Sequence, residues 1–265
     1  MDETDAPAAQ HCPRCQGRLR AGAKFCPACG AALDPAALQP ERATEPAVQA
    51  SPGSRFDLHW SEFRLIAKLF GLLLLASLVI GLVGRNDSTP WSDVSGSIAE
   101  VMIVLWFACY RYHDISPLLG APQADRRTAL RLFGLCLGFV ALLQLYFYLI
   151  EKAGVPIIHM TAPYQAAGWG IGVMLLVNSA MPAVAEELAF RGIIQSTLER
   201  IVGEREALLI QAALFSVLHL LPMMFPSHFI MGLCFGYLRL RTRSLYPGIA
   251  LHAAWNALVV LQEIF

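Results

Sequence analysis

The stretch Ala185-Glu186-Glu187-Leu188-Ala189-Phe190-Arg191-Gly192 sets two carboxylates and a guanidinium inside one of the most apolar regions of a 265-residue chain. Ionisable groups at membrane depth persist when they pair with one another or face a polar cavity, so this stretch is the first candidate for chemistry. On a helix, Glu187 and Arg191 stand at i and i+4 and meet on one face. Glu186 is rotated by about 100° and points elsewhere. Glu187 is therefore expected to be structural, neutralised by Arg191, because an unpaired buried charge is strongly destabilising. Glu186 is left free to act as a general base on water. Two further pairs have the same spacing: Phe215 with His219, and His252 with Asn256. His219 can help Glu186 hold and deprotonate a water, while His252 and Asn256 can donate hydrogen bonds to an oxyanion developing at a carbonyl. Two histidines and a carboxylate are also a zinc-compatible ligand set, so an active-site zinc stays open beside a metal-free route; no H-E-x-x-H marks a metal on a single helix.

The elements that must carry these residues are membrane helices. The chain is 56% hydrophobic and 15% charged, with a mean hydropathy of +0.51, too apolar for an ordinary soluble domain. The fold class expected is an all-α polytopic membrane protein of about seven transmembrane helices. The apolar runs are 65–83, 98–110, 129–150, one from 167 into the Glu-Glu stretch, then 207–225, 228–240 and 248–264. Basic residues cluster at alternate ends: Arg55, Arg64 and Lys68, then Arg111, Arg126, Arg127 and Arg131, then Arg200 and Arg205, then Arg239, Arg241 and Arg243. The positive-inside rule then sets the N-terminus in the cytoplasm and the C-terminus outside. No signal peptide with an apolar core and a small-residue cleavage site opens the chain. In this register Glu186 and His252 fall near cytoplasmic span ends, whereas His219 lies some twelve residues into its span, about 18 Å deeper at 1.5 Å per residue. The mismatch predicts a helix break near Pro182 and a cavity open to the cytoplasm.

The first 55 residues have a different composition. Cys12-Pro13-Arg14-Cys15 and Cys26-Pro27-Ala28-Cys29-Gly30 are paired C-x-x-C knuckles, a spacing that gathers four thiolates around a tetrahedral structural zinc with no position left for water. Residues 1–30 are thus expected to form a zinc ribbon with structural zinc on Cys12, Cys15, Cys26 and Cys29. Residues 31–55, rich in Ala, Pro, Glu, Gln and Ser, read as a disordered linker. The membrane domain follows over 56–265, with its motif-bearing core at 165–265. Cys109, Cys136 and Cys234 stand singly in apolar runs and read as packing residues. His228 reads as interfacial at the start of its span.

With E-E-x-x-x-R, F-x-x-x-H and H-x-x-x-N intact in that order, the core resembles the CAAX prenyl endopeptidase and bacteriocin-processing family of intramembrane proteases. The resemblance implies hydrolysis of a peptide bond near the cytoplasmic membrane face by glutamate-activated water or by a metalloprotease route. It also implies a peptide or protein substrate that can be lipid-modified, amid membrane lipid. By that reading Glu186, His219, His252 and Asn256 are catalytic, and Glu187, Arg191 and Phe215 support them. The expected location is the bacterial inner or plasma membrane. The alternative from the residues alone is a non-catalytic scaffold or immunity-type membrane protein whose ribbon binds a partner. No nucleic-acid partner is expected: net charge is zero, and only Arg14, Arg18, Arg20 and Lys24 supply local positive charge, with Phe25 the lone aromatic beside them. The ribbon's own partner has no signature.

Overall fold

The computed structural model describes residue 19 and residues 25–32, 52–84, 89–155 and 159–265. Cys12, Cys15, Arg14, Arg18, Arg20, Lys24, the linker residues 33–51 and Arg85 lie outside the described residues. The chain divides into two compact units, 1–55 and 56–265. In the first, the second knuckle is a tight turn: the Gly30 amide donates to the Cys26 carbonyl at 2.9 Å, and the Cys26 amide donates to Ala31 at 2.9 Å. Gly30 takes a φ of +67°, a conformation that costs a side-chain-bearing residue and suits glycine. An antiparallel bridge between Phe25 and Ala32 closes the turn.

In the second unit every described regular element is helical. The helices are α1 (Pro52–Gly84), α2 (Trp91–Tyr110), α3 (Tyr112–Ile115), α4 (Arg126–Lys152), α5 (Ala162–Ala166), α6 (Ile171–Leu175), α7 (Met181–Glu186), α8 (Ser196–Val202), α9 (Glu204–Leu218), α10 (Phe225–Thr242) and α11 (Tyr246–Ile264). Sequence signals explain several of the starts. Asp125 caps α4 by accepting the Thr128 amide at 3.2 Å, and prolines sit in the first turns of α10 and α11, where a missing N–H costs nothing.

Four stretches are long and apolar enough to cross a bilayer among the described residues: 59–83, 91–110, 126–152 and 171–202. The other three expected spans correspond to α9, α10 and α11. They are helical but run 15, 18 and 19 residues, and the polar groups they carry dilute their hydropathy. The protein is thus an integral membrane protein.

The 171–202 stretch is the most buried of the four. Half of its most apolar window is buried, against 17, 6 and 11% in α1, α2 and α4. The break expected at Pro182 is absent; the stretch stays helical throughout. It is instead widened twice, by π-helical turns at Leu176–Ala180 and Glu187–Gln195 on either side of α7. A proline lacks the N–H that would donate to the carbonyl four residues back, and a wide turn just before it absorbs the mismatch without ending the helix. Such turns recur at functional sites. Asn178 donates back to Met174 at 3.1 Å within its own helix, while Ser179 donates across to Ala253 of α11 at 2.7 Å.

Close packing of α9 on α10 depends on a G-x-x-x-G pair, Gly232 and Gly236. A Cβ at Gly232 would lie 2.6 Å from Ala212 Cα, and one at Gly236 2.5 Å from Leu208 Cδ1. Small residues let helix backbones approach, which is how helices gain packing energy where lipid removes the hydrophobic drive. Behind this pair the core is built from Leu69, Leu73, Phe139, Leu143, Phe190 and Trp255. Cys234 is buried as expected of a packing residue, whereas Cys109 is exposed on the outer surface of α2.

The loops marked by basic residues gather at one end. Arg111 pairs with Glu62 of α1 at 2.8 Å and with Asp114 at 2.7 Å, and Arg200 reaches the same two acids at 3.2 and 3.6 Å. At that end the segment after α3 also meets the α10–α11 turn: Leu245 donates to Leu118 at 2.9 Å and Gln123 to Thr242 at 2.8 Å.

Candidate active site

Glu186 closes α7, and Glu187 and Arg191 lie in the wide turn that follows it. All three are buried, at 8, 1 and 0% exposure. Arg191 Nη1 stands 3.0 Å from Glu187 Oε1, so the i,i+4 pair survives in a widened helix. The guanidinium lies between two rings, its carbon 4.4 Å from the centroid of Phe215 and 5.2 Å from that of Phe235. Aromatic faces hold a desolvated cation by quadrupole attraction, which gives the phenylalanine of F-x-x-x-H a physical task.

His252 of α11, 2% exposed, stands between the two acids. Its Nδ1 is 3.2 Å from Glu187 Oε1, and its Nε2 is 3.8 Å from Glu186 Oε2. A carboxylate only accepts, so Nδ1 carries hydrogen and donates to Glu187. Glu187 is therefore shared by Arg191 and His252, a role wider than the helix neutralisation expected of it. The close approach of α11 requires Gly248: a Cβ there would lie 2.8 Å from Glu187 Oε2. Asn256, one turn beyond His252, is half-buried and hydrogen-bonds to no described residue, which leaves its amide available.

His219 terminates α9 as its C-cap, and the chain turns sharply through Leu220 at a φ of 58°. Its Nδ1 lies 2.9 Å from the Phe215 carbonyl, so that nitrogen is the N–H donor, and in the neutral ring Nε2 presents its lone pair. The ring's contacts are with Phe215, centroids 5.0 Å apart, and with His228 of α10, centroids 3.7 Å apart. It is near enough to Arg191 and His252 to interact with their charges. The geometry thus joins Glu186 to His252, and His219 to His228.

Two residues of this cluster escape sequence reasoning. His228, half-buried at the start of α10, meets His219 with ring centroids 3.7 Å apart. Its nine-residue separation from His219 crosses a loop and has no helical period to reveal it. Glu100 of α2 lies close enough to Glu186 for their charges to interact. A lone acid in the apolar 98–110 run was its signal. Buried oxygens of Glu100, Glu186 and Glu187 and the guanidinium N–H groups of Arg191 have no partner in hydrogen-bond geometry.

An apolar groove of about 300 Å³ runs between α2 and the 171–202 helix, lined by Val101, Leu105, Leu176, Met181, Ala185 and Leu188 among others. Among the described residues no three His, Cys, Asp or Glu side chains converge to hold a metal ion. In the ribbon, Cys26 and Cys29 flank a turn of the kind a zinc knuckle uses, which fits structural zinc.

Comparison with known proteins agrees with the resemblance read from the motifs. Residues 168–258 match the family model of type II CAAX prenyl endopeptidases, Rce1-like, and residues 11–33 match the zinc-ribbon domain. The first match contains every motif residue from Glu186 to Asn256, and the second contains all four knuckle cysteines. No curated protein and no solved structure is significantly similar to the chain.

Proposed function

We propose that this chain, whose membrane core carries an Rce1-like CAAX endopeptidase segment, is an intramembrane endopeptidase that hydrolyses a peptide bond by glutamate-activated water. The observation that carries the reading is His252 held between Glu186 and Glu187, with both acids buried. Glu186, assisted by the Nε2 lone pair of His219, takes a proton from water as the water attacks the scissile carbonyl. Charge developing on the carbonyl oxygen receives hydrogen bonds from Asn256 and from Nε2 of His252, a contribution of about 3–4 kcal/mol per donor in well-studied acyl-transfer enzymes. Donation from Nε2 while Nδ1 donates to Glu187 requires both ring nitrogens to carry hydrogen. Glu186 then returns its proton to the leaving amine. Arg191 and Phe215 hold Glu187, and Glu187 holds His252.

The apolar groove lined by Ala185 and Leu188, on the helix that carries Glu186, supports a substrate with an apolar segment, whether side chains or an attached lipid. Zinc on Cys12, Cys15, Cys26 and Cys29 supplies folding energy to the ribbon, so residues 1–30, 31–55 and 56–265 act as ribbon, linker and protease. Convergence of the basic loops at one end supports a cytoplasmic N-terminus, with the protein in a bacterial plasma membrane.

The test is a comparison of peptide termini, by mass spectrometry, in membranes from cells making the intact protein and from cells making Glu186→Gln at equal abundance, each with and without a zinc chelator. New termini that vanish with Glu186→Gln and persist in chelator support the proposal. Termini identical in the two cell lines would leave a scaffold as the reading; termini lost to chelator alone would return the reaction to metal.

A further inference from the structure

His219 is the one motif residue that no regular element restrains. It is the last group of α9, the next residue adopts a left-handed backbone, and the chain leaves through a short turn at Pro222–Met224 before α10 begins. A histidine at a helix end keeps a freedom that a mid-helix side chain lacks, yet a base acting on a water must be held to within a fraction of an ångström. Its own Nδ1 contact with Phe215 fixes one ring atom and leaves the ring plane free to swing about it.

What meets the ring face is His228. The two imidazole centroids are 3.7 Å apart at an interplanar angle of 40°. His228 is itself held twice, with Nδ1 2.9 Å from the Met224 carbonyl and 3.1 Å from Ser227 Oγ. Ser227 in turn is fully buried and donates to Met224 at 2.9 Å. Both rings therefore anchor Nδ1 on a backbone carbonyl one helical turn back, and both leave Nε2 open. Phe215 borders both, at 5.0 and 5.9 Å.

We propose that His228 is a positioning residue for His219: its ring, fixed by Met224 and Ser227, packs against the His219 ring and holds Nε2 toward the site. The inference rests on the endopeptidase reading and adds to it a residue outside the three motifs. What holds His219 is the planar face of the His228 ring; Nδ1 only fixes that face, which packing beside Phe215 also restrains.

The test uses the full-length protein with His228→Ala, His228→Phe and Glu186→Gln, each checked for membrane abundance and thermal stability in detergent. On the termini that depend on Glu186, His228→Ala is expected to lower cleavage roughly 10- to 100-fold, the range that ångström-scale misplacement produces, and His228→Phe to recover most of that loss. Nitrogen NMR of labelled histidine supplies a readout independent of substrate. His219 should show hydrogen on Nδ1 and a bare Nε2 in the unaltered protein and in His228→Phe, and averaged signals in His228→Ala. Full cleavage by His228→Ala, or an unchanged His219 signal in that variant, overturns the proposal. A phenylalanine variant as poor as the alanine one overturns it too, because the nitrogens would then be what acts. If no termini depend on Glu186, it is the protease reading that falls, and the NMR comparison still decides the contact.

Discussion

Gly248→Ala probes how tightly α11 is pressed onto the buried acids. The added Cβ would stand 2.8 Å from Glu187 Oε2, 3.5 Å from Cδ and 3.9 Å from Cγ, where ordinary contact begins at 3.4 Å. Some 0.6 Å, the difference between 3.4 and 2.8, must therefore be found by movement. A carboxylate tip is normally free to swing aside, but this one is held through its other oxygen by Arg191 at 3.0 Å and His252 at 3.2 Å. Either the carboxylate turns and drags both partners, or α11 backs away and takes His252 with it. Overpacking of this kind costs about 1–3 kcal/mol. With an ångström of misplacement worth up to about a hundredfold in rate, 0.6 Å corresponds to a loss on the order of tenfold.

The assay is paired: thermal unfolding of the purified protein in detergent, and yield of Glu186-dependent termini at matched membrane abundance. Both should fall in Gly248→Ala. Shortening the acid by a methylene in Gly248→Ala/Glu187→Asp makes room for the methyl and should return part of the lost stability. Unchanged unfolding and unchanged cleavage in Gly248→Ala would refute the reasoning, because they would mean that Glu187 is not wedged between Arg191, His252 and the α11 backbone.

Other perturbations have equally definite outcomes. Arg191→Met leaves Glu187 buried beside two phenylalanine rings without its cation, and breaking a buried pair in this way costs about 3–5 kcal/mol. Arg191→Met/Glu187→Gln removes both charges and should be markedly more stable than the single change in detergent unfolding; equal instability would show that the pair is not coupled. At the α9–α10 crossing, Gly232→Ala drives a methyl into Ala212 Cα, a backbone atom that cannot rotate away, and should lower stability by about 1–3 kcal/mol. Gly71→Ala in α1 meets nothing within 4 Å and serves as the control; replacing an in-helix glycine there should be neutral or stabilising by up to about 1 kcal/mol.

Much of this organisation follows from local spacing. Glu187–Arg191, Phe215–His219 and His252–Asn256 are i,i+4 pairs, and any helix brings such residues to one face, so the sequence alone places them. Apolar length identifies the helices, and the C-x-x-C spacing with Gly30 after the second pair identifies the knuckle, because each is a property of a single segment. The expected break at Pro182 fails for the opposite reason. Whether a proline ends a helix or is absorbed in a wide turn depends on the neighbours packed around it, here α11 and α2.

Which imidazole meets which acid is a matter between segments. Periodicity gives the face of a helix, whereas the angle, offset and separation at which two helices cross decide whose side chains touch. Those quantities are set by packing: Gly248 brings α11 within reach of Glu187, and Gly232 with Gly236 draws α10 onto α9. The α9–α10 turn returns His228 to the face of His219. So the sequence determined the chemical groups and the helices that bear them, while the tertiary structure alone put His252 between Glu186 and Glu187, His228 against His219, and Glu100 beside the candidate base.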